Sequence, residues 1–222
     1  MGTSNKALIG ASLAAFLWFY LIGRNMPVGL LPALVKGAAV ALLAMLALIR
    51  GQGRDGHLLA AVLGFGAAGD FAIEYSQTIG AALFLVGHAL AIWLYLRNLR
   101  RKLTASQNAL ALVMVMIIPP LAFHLPSDRA QAWPVAAYAF GLAAMAAAAW
   151  TSRFSRYVVG IGAMLFVASD LLIFARMGPL AQSPLPGLLI WPLYYAGQLM
   201  ICLGVLRGLQ LPGKVMDPSV AR

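Results

Sequence analysis

Charge is scarce in this sequence: 10% of its 222 residues are charged, only six residues are acidic, and 62% are hydrophobic. Soluble domains carry about 25% charged residues, so this composition, with a mean hydropathy of +0.86, excludes an ordinary water-soluble fold. Cysteine occurs once, at Cys202, which excludes an intramolecular disulfide and argues against a thiolate metal cluster. The sixteen Lys and Arg residues give a net charge of +10, yet they neither cluster on one helix nor interleave with aromatics, the pattern a nucleic-acid surface needs. No nucleic-acid partner is expected. Patterns for a cleavable signal peptide and for lipidation are also lacking, so the first apolar segment is expected to stay in the protein. No linker or compositional break divides the chain, which predicts one transmembrane domain over residues 1–222.

Long apolar runs dominate instead. A helix needs about 20 residues to cross a hydrocarbon core of about 30 Å, and eight candidate spans occur at 7–23, 28–49, 57–75, 79–96, 108–124, 132–150, 157–175 and 188–207. They predict an all-α fold, a polytopic membrane bundle of eight transmembrane helices. With the N-terminus in the cytoplasm, Lys6, Arg50, Arg54, Arg97, Arg100, Arg101, Lys102, Arg153, Arg156, Arg207, Lys214 and Arg222 share that side. Arg24, Arg129 and Arg176 face the other side, and Lys36 lies inside the second span. This asymmetry predicts cytoplasmic termini and a multi-pass protein of the cell (inner) membrane. A faint echo of FGAAGDFAI in FVASDLLIF, and of GHALAI in GQLMIC, suggests two four-helix halves in parallel orientation.

Two aspartates interrupt the apolar runs, Asp70 in the third span and Asp170 in the seventh. A carboxylate at bilayer depth costs at least a few kcal/mol unless paired, hydrated or protonated, so such residues point to function. At a rise of about 1.5 Å per residue both lie about 20 Å from the cytoplasmic face, at one level. By the same rise Lys36, His88, Tyr194, Tyr195 and Gln198 lie about 9 to 15 Å from the opposite face. Glu74, one helical turn beyond Asp70, is expected at the entrance. A shared hydrated pocket is the economical way to hold so many polar groups. Structural readings stand beside this one: Asp70 and Lys36 as a register-fixing ion pair, Gln198 as an interhelical clamp, and one of the two tyrosines as an interface anchor. His57 and His124 sit near helix ends and carry no clear signal. The loop 178–187, GPLAQSPLPG, reads as a connector or a lid.

One well-placed histidine is a poor zinc set, and Ser169 beside Asp170 lacks a Ser, His and acid arrangement. No metal or cofactor is expected. General acid and base chemistry by paired carboxylates remains, and a proton-coupled small-molecule or lipid transporter is the alternative that uses the same acids. A structural or regulatory membrane protein is a third.

The lysine-bearing LPALVKGAAV, the GD motif at Gly69 and Asp70, GHALAIWLY with His88, the SD motif at Ser169 and Asp170, and YYAGQLMICLG with Tyr194, Tyr195 and Gln198 together resemble the lysoplasmalogenase-like YhhN family of polytopic membrane proteins. The resemblance implies hydrolysis of the vinyl ether bond of a lysoplasmalogen, a lysophospholipid substrate taken from the bilayer. It releases a fatty aldehyde and a glycerophospho head group. Such chemistry needs a carboxylic acid to protonate the alkene and a nearby carboxylate to steady positive charge or activate water; two acids in one poorly solvated cavity supply both states. On this reading Asp70, Asp170 and His88 are catalytic, with Asp170 the acid and Asp70 its charged partner held by Lys36. Lys36, Glu74, Tyr194, Tyr195 and Gln198 would bind substrate.

Overall fold

The computed structural model describes residues 3–210. Lys214 and Arg222, expected on the cytoplasmic side, lie outside the described residues. Eight α-helices follow one another there: α1 (Thr3–Leu21), α2 (Leu30–Arg50), α3 (Gly53–Ala72), α4 (Gln77–Arg97), α5 (Ala105–His124), α6 (Ala132–Thr151), α7 (Ile161–Arg176) and α8 (Leu185–Gln210). Short connections turn the chain back each time, so the described ends of α1 and α8 share one face, called here the terminal face. Each helix matches an expected span to within a few residues.

Seven spans among the described residues are long and apolar enough to cross a membrane. The exception is α3, whose hydropathy is diluted by Arg54, Asp55, His57, Asp70 and its glycines. Helix α3 lies against α2, α4 and α8, and half of its residues, Asp70 among them, are buried. On the outside, Leu48, Ile49, Leu112, Met116 and Phe140 are exposed, the inverse of a soluble surface. Inside, α6 presents Ala139, Ala143, Ala146 and Ala149, all fully buried, the small-residue face that lets membrane helices approach closely. The closest approach joins α7 and α8. A Cβ on Gly197 would meet the Gly162 carbonyl oxygen at 2.6 Å, and one on Gly162 the Gly197 oxygen at 2.9 Å.

The pairings follow the suggested repeat in part: α1–α2 corresponds to α5–α6, α3–α4 to α7–α8, and α4–α6 to α8–α2, but the α3–α8 contact has no counterpart between α7 and α4. Large side chains with almost no exposure, among them Leu43, Leu46, Leu59, Leu63, Leu94, Tyr95, Phe154 and Val205, all belong to the terminal half. A polar knot closes that face: Asp55 accepts from Arg97 Nε at 3.0 Å and Asn98 Nδ2 at 2.7 Å, and Arg153 Nε donates to Asn98 Oδ1 at 2.6 Å. The opposite half is where space is left.

Pro192 was expected where the last span begins, but α8 starts at Leu185 and carries it internally. Proline has no N–H to give the carbonyl four residues back. That carbonyl, of Leu188, accepts from the Tyr20 hydroxyl at 3.2 Å instead, and Arg24 Nη1 donates to the Gly187 carbonyl at 2.9 Å. The early start shortens the 178–187 loop, and these two bonds fasten the first turn of α8 to the end of α1 and the connection that follows it.

Candidate active site

A cavity of about 580 Å3 opens in the half away from the terminal face. Asp70 of α3 and Asp170 of α7 both line it, 2% and 5% exposed, so the two acids do meet in one chamber. Lys36, Glu74 and Tyr194 line it too, as do Arg24 and Arg176. Of the three arginines expected on this side, two therefore stand at the chamber. Phe84, Phe166 and Tyr194 meet edge to face, with centroids 5.0 to 6.2 Å apart, beneath the acids.

Each aspartate is held by a tyrosine, and each tyrosine by a further polar side chain. Tyr194 donates to Asp70 Oδ2 at 2.7 Å and accepts from Gln198 Nε2 at 3.2 Å. Tyr138 of α6 donates to Asp170 Oδ2 at 2.8 Å, and His88 Nε2 lies 3.2 Å from its hydroxyl. With that hydroxyl hydrogen committed to Asp170, His88 donates from Nε2. Ser169 Oγ donates to Asp170 Oδ1 at 3.2 Å. Gly66 makes room for the first relay, since a Cβ there would meet Gln198 Nε2 at 2.9 Å.

Not every expected residue reaches the chamber. His88 and Gln198 line a separate void of only about 20 Å3 behind it, each one tyrosine removed from its carboxylate. Tyr195 turns toward α1, where it stacks on Phe16 at 4.3 Å and shares a 2.8 Å hydrogen bond with Ser12. Adjacent helical residues point about 100° apart, so Tyr194 and Tyr195 cannot serve one face. Lys36 was expected to hold Asp70, yet its ion pair is with Glu74 at 2.6 Å. Glu74 lies just past the end of α3, where a longer side chain meets the Lys36 ammonium near the mouth. Trp191 and Phe19 flank the same ammonium at 5.8 and 5.2 Å. Tyr138 was missed, because a lone tyrosine in an alanine-rich span carries no local signal. Among the described residues no three His, Cys, Asp or Glu side chains gather as a metal-ligand set.

The YhhN family model matches residues 31–205, a stretch that contains both aspartates and every helix from α3 to α7, with all but the first residue of α2. The chain belongs to the YhhN family. Within reach of this YhhN protein are a lysoplasmalogenase of Mycobacterium bovis and one of Mycobacterium tuberculosis. Each is 26% identical over 227 residues, covering 94% of this chain and 86% of the relative. No solved structure matches. The seven apolar spans and the family together make this a multi-pass membrane protein.

Proposed function

We propose that this protein is a lysoplasmalogenase-like hydrolase of the inner membrane, cleaving the vinyl ether of a lysoplasmalogen within the chamber between α3, α7 and α8. The observation that carries the reading is the pair of buried acids, Asp70 and Asp170, lining one cavity with separate tyrosine donors. The names of the two mycobacterial relatives support the substrate class.

In the proposed path Asp170 is neutral at rest and delivers its proton from Oδ1 to the β carbon of the alkene, whose π electrons form the new C–H bond. The ether oxygen shares its lone pair and becomes an oxocarbenium ion. Tyr138, donating to Oδ2, steadies the carboxylate this leaves behind, a stabilisation that grows with charge in the transition state. Water then adds to the α carbon and loses a proton to Asp70, which Tyr194 orients. As the hemiacetal collapses, Asp70 gives its proton to the departing glycerol oxygen and the hemiacetal hydroxyl gives its own to Asp170, so both acids are restored, one water is consumed and the C–O bond is broken. His88 and Gln198 act through the tyrosines as positioning residues. Arg24 and Arg176 suit a phosphodiester, and Lys36 with Glu74 forms the mouth.

The transporter alternative needs a second opening, whereas among the described residues the terminal half holds the large buried side chains and the Asp55, Asn98 and Arg153 knot. The test is mass-spectrometric detection of fatty aldehyde from detergent-purified protein given lysoplasmenylethanolamine, beside an ester-linked lysolipid. Aldehyde release that Asp170→Asn abolishes in a folded protein is expected. Full activity in that variant rejects the acid assignment, and ester cleavage instead points to a broader lipid hydrolase.

A further inference from the structure

A second cavity, of about 540 Å3, lies between α4, α6 and α7, inside the ~300–1,000 Å3 range of small-molecule sites. The reaction described above gives it no role. Its inner wall sets Ala81, Phe84, Val135, Ile173 and Phe174 around the Tyr138–Asp170 pair, while Thr78, Asp128 and Gln131 stand at its outer end. The backbones of α4 and α7 stay apart across this space, with Phe84 and His88 reaching Phe166 at its inner end, and α6 bridges them. Five residues line both cavities: Ile73, Gln77, Phe84, Asp170 and Ile173. Asp170 is the only acid in that shared wall. Asp70 borders the first chamber alone.

A vinyl ether lysolipid has the same bipartite form. Its β carbon continues into hydrocarbon, its oxygen into a charged head group, and the bond to be cleaved marks the boundary. The first chamber carries Arg24, Lys36, Asp70, Glu74 and Arg176, whereas the second carries no cation. We infer that the second chamber holds the alkenyl chain, so that the substrate lies across Asp170 with its head group in the first.

The inference rests on the hydrolase reading and sharpens it. Asp170, on the chain side, faces the β carbon that takes the proton; Asp70, on the head-group side, faces the water that attacks the α carbon. Because a chain leaving the bilayer exchanges one apolar surrounding for another, the chamber adds little affinity. Its effect is to set which carbon lies against Asp170.

Two measurements test this. In the unaltered protein, a 1-O-alkyl lysolipid bearing a diazirine in mid-chain should, on illumination, label peptides containing Ala81, Val135 or Met177. Labels confined to Phe19 and Leu188 of the first chamber, or to the lipid-facing Leu112 and Met116, overturn the assignment. A saturated ether is not cleaved, so this arm reads binding alone: chamber labelling with no aldehyde from any vinyl ether would sink the hydrolase reading and leave the chain site standing. In the second arm Ala81→Trp fills the chamber. The ratio of kcat/KM for sixteen-carbon over six-carbon alkenyl lysolipids should fall at least tenfold, and an unchanged ratio in a folded variant overturns the proposal.

Discussion

Removing one hydroxyl separates the proposed proton path from simple packing. Tyr138→Phe keeps the ring that meets His88 and Phe174 edge to face at 5.6 and 5.8 Å, and deletes only the 2.8 Å donor to Asp170 and the 3.2 Å acceptor of His88. A hydrogen bond to a neutral partner contributes roughly 0.5–1.5 kcal/mol and one to a charged partner roughly 1.5–3. If Asp170 starts neutral and ends ionised, Tyr138 contributes about 1–1.5 kcal/mol more in the transition state than before it. That difference is worth about tenfold in kcat. KM should stay near that of the unaltered protein, because the chamber keeps its shape. Orphaning His88 Nε2 adds a loss of about 1–3 kcal/mol in stability. The assay is aldehyde release at saturating lysolipid, with thermal unfolding in detergent alongside. An unaltered kcat would show that Asp170 gains no charge in the rate-limiting step. A thousandfold loss would make Tyr138 itself the proton donor, and either result refutes the scheme.

Other expectations follow from single contacts. Arg176→Gln, at a chamber residue outside both relays, should raise KM for a phosphate-bearing lysolipid by about tenfold, the loss of one charge-assisted bond; kcat should hold, and an equal KM counts against a phosphodiester site there. Gly197→Ala must part α7 from α8, since the new methyl meets backbone at 2.6 Å. A loss of about 1–3 kcal/mol is expected, read as a lower unfolding temperature in detergent, and an unchanged temperature would mean that the crossing is looser than described.

Much of the fold was legible because the signal is local. Twenty apolar residues in a row sum to a favourable transfer whatever their neighbours are, so the spans could be counted and bounded along the chain. Asp70 and Asp170 announced themselves for the same reason, as charges in apolar runs. That they line one cavity fits the similar levels that the constant rise of a helix gives them. Tyr138 gave no such sign: its role depends on α6 turning one face toward α7, which no residue near it in the chain reveals.

Partner choice was likewise beyond the linear reading. Lys36, Asp70 and Glu74 were all visible, but which acid meets the lysine is set by side-chain reach and by how α2 leans on α3. Tyr194 and Tyr195 are neighbours in sequence and opposites in space, one bonded to Asp70 and the other to Ser12. The sequence by itself determined how many helices form, roughly where each runs and which two carry the acids, because helix geometry and transfer energy add up residue by residue. The tertiary structure alone decided which faces of those helices meet, and so which acid borders both cavities, because rotation about a helix axis is settled only by packing against its neighbours.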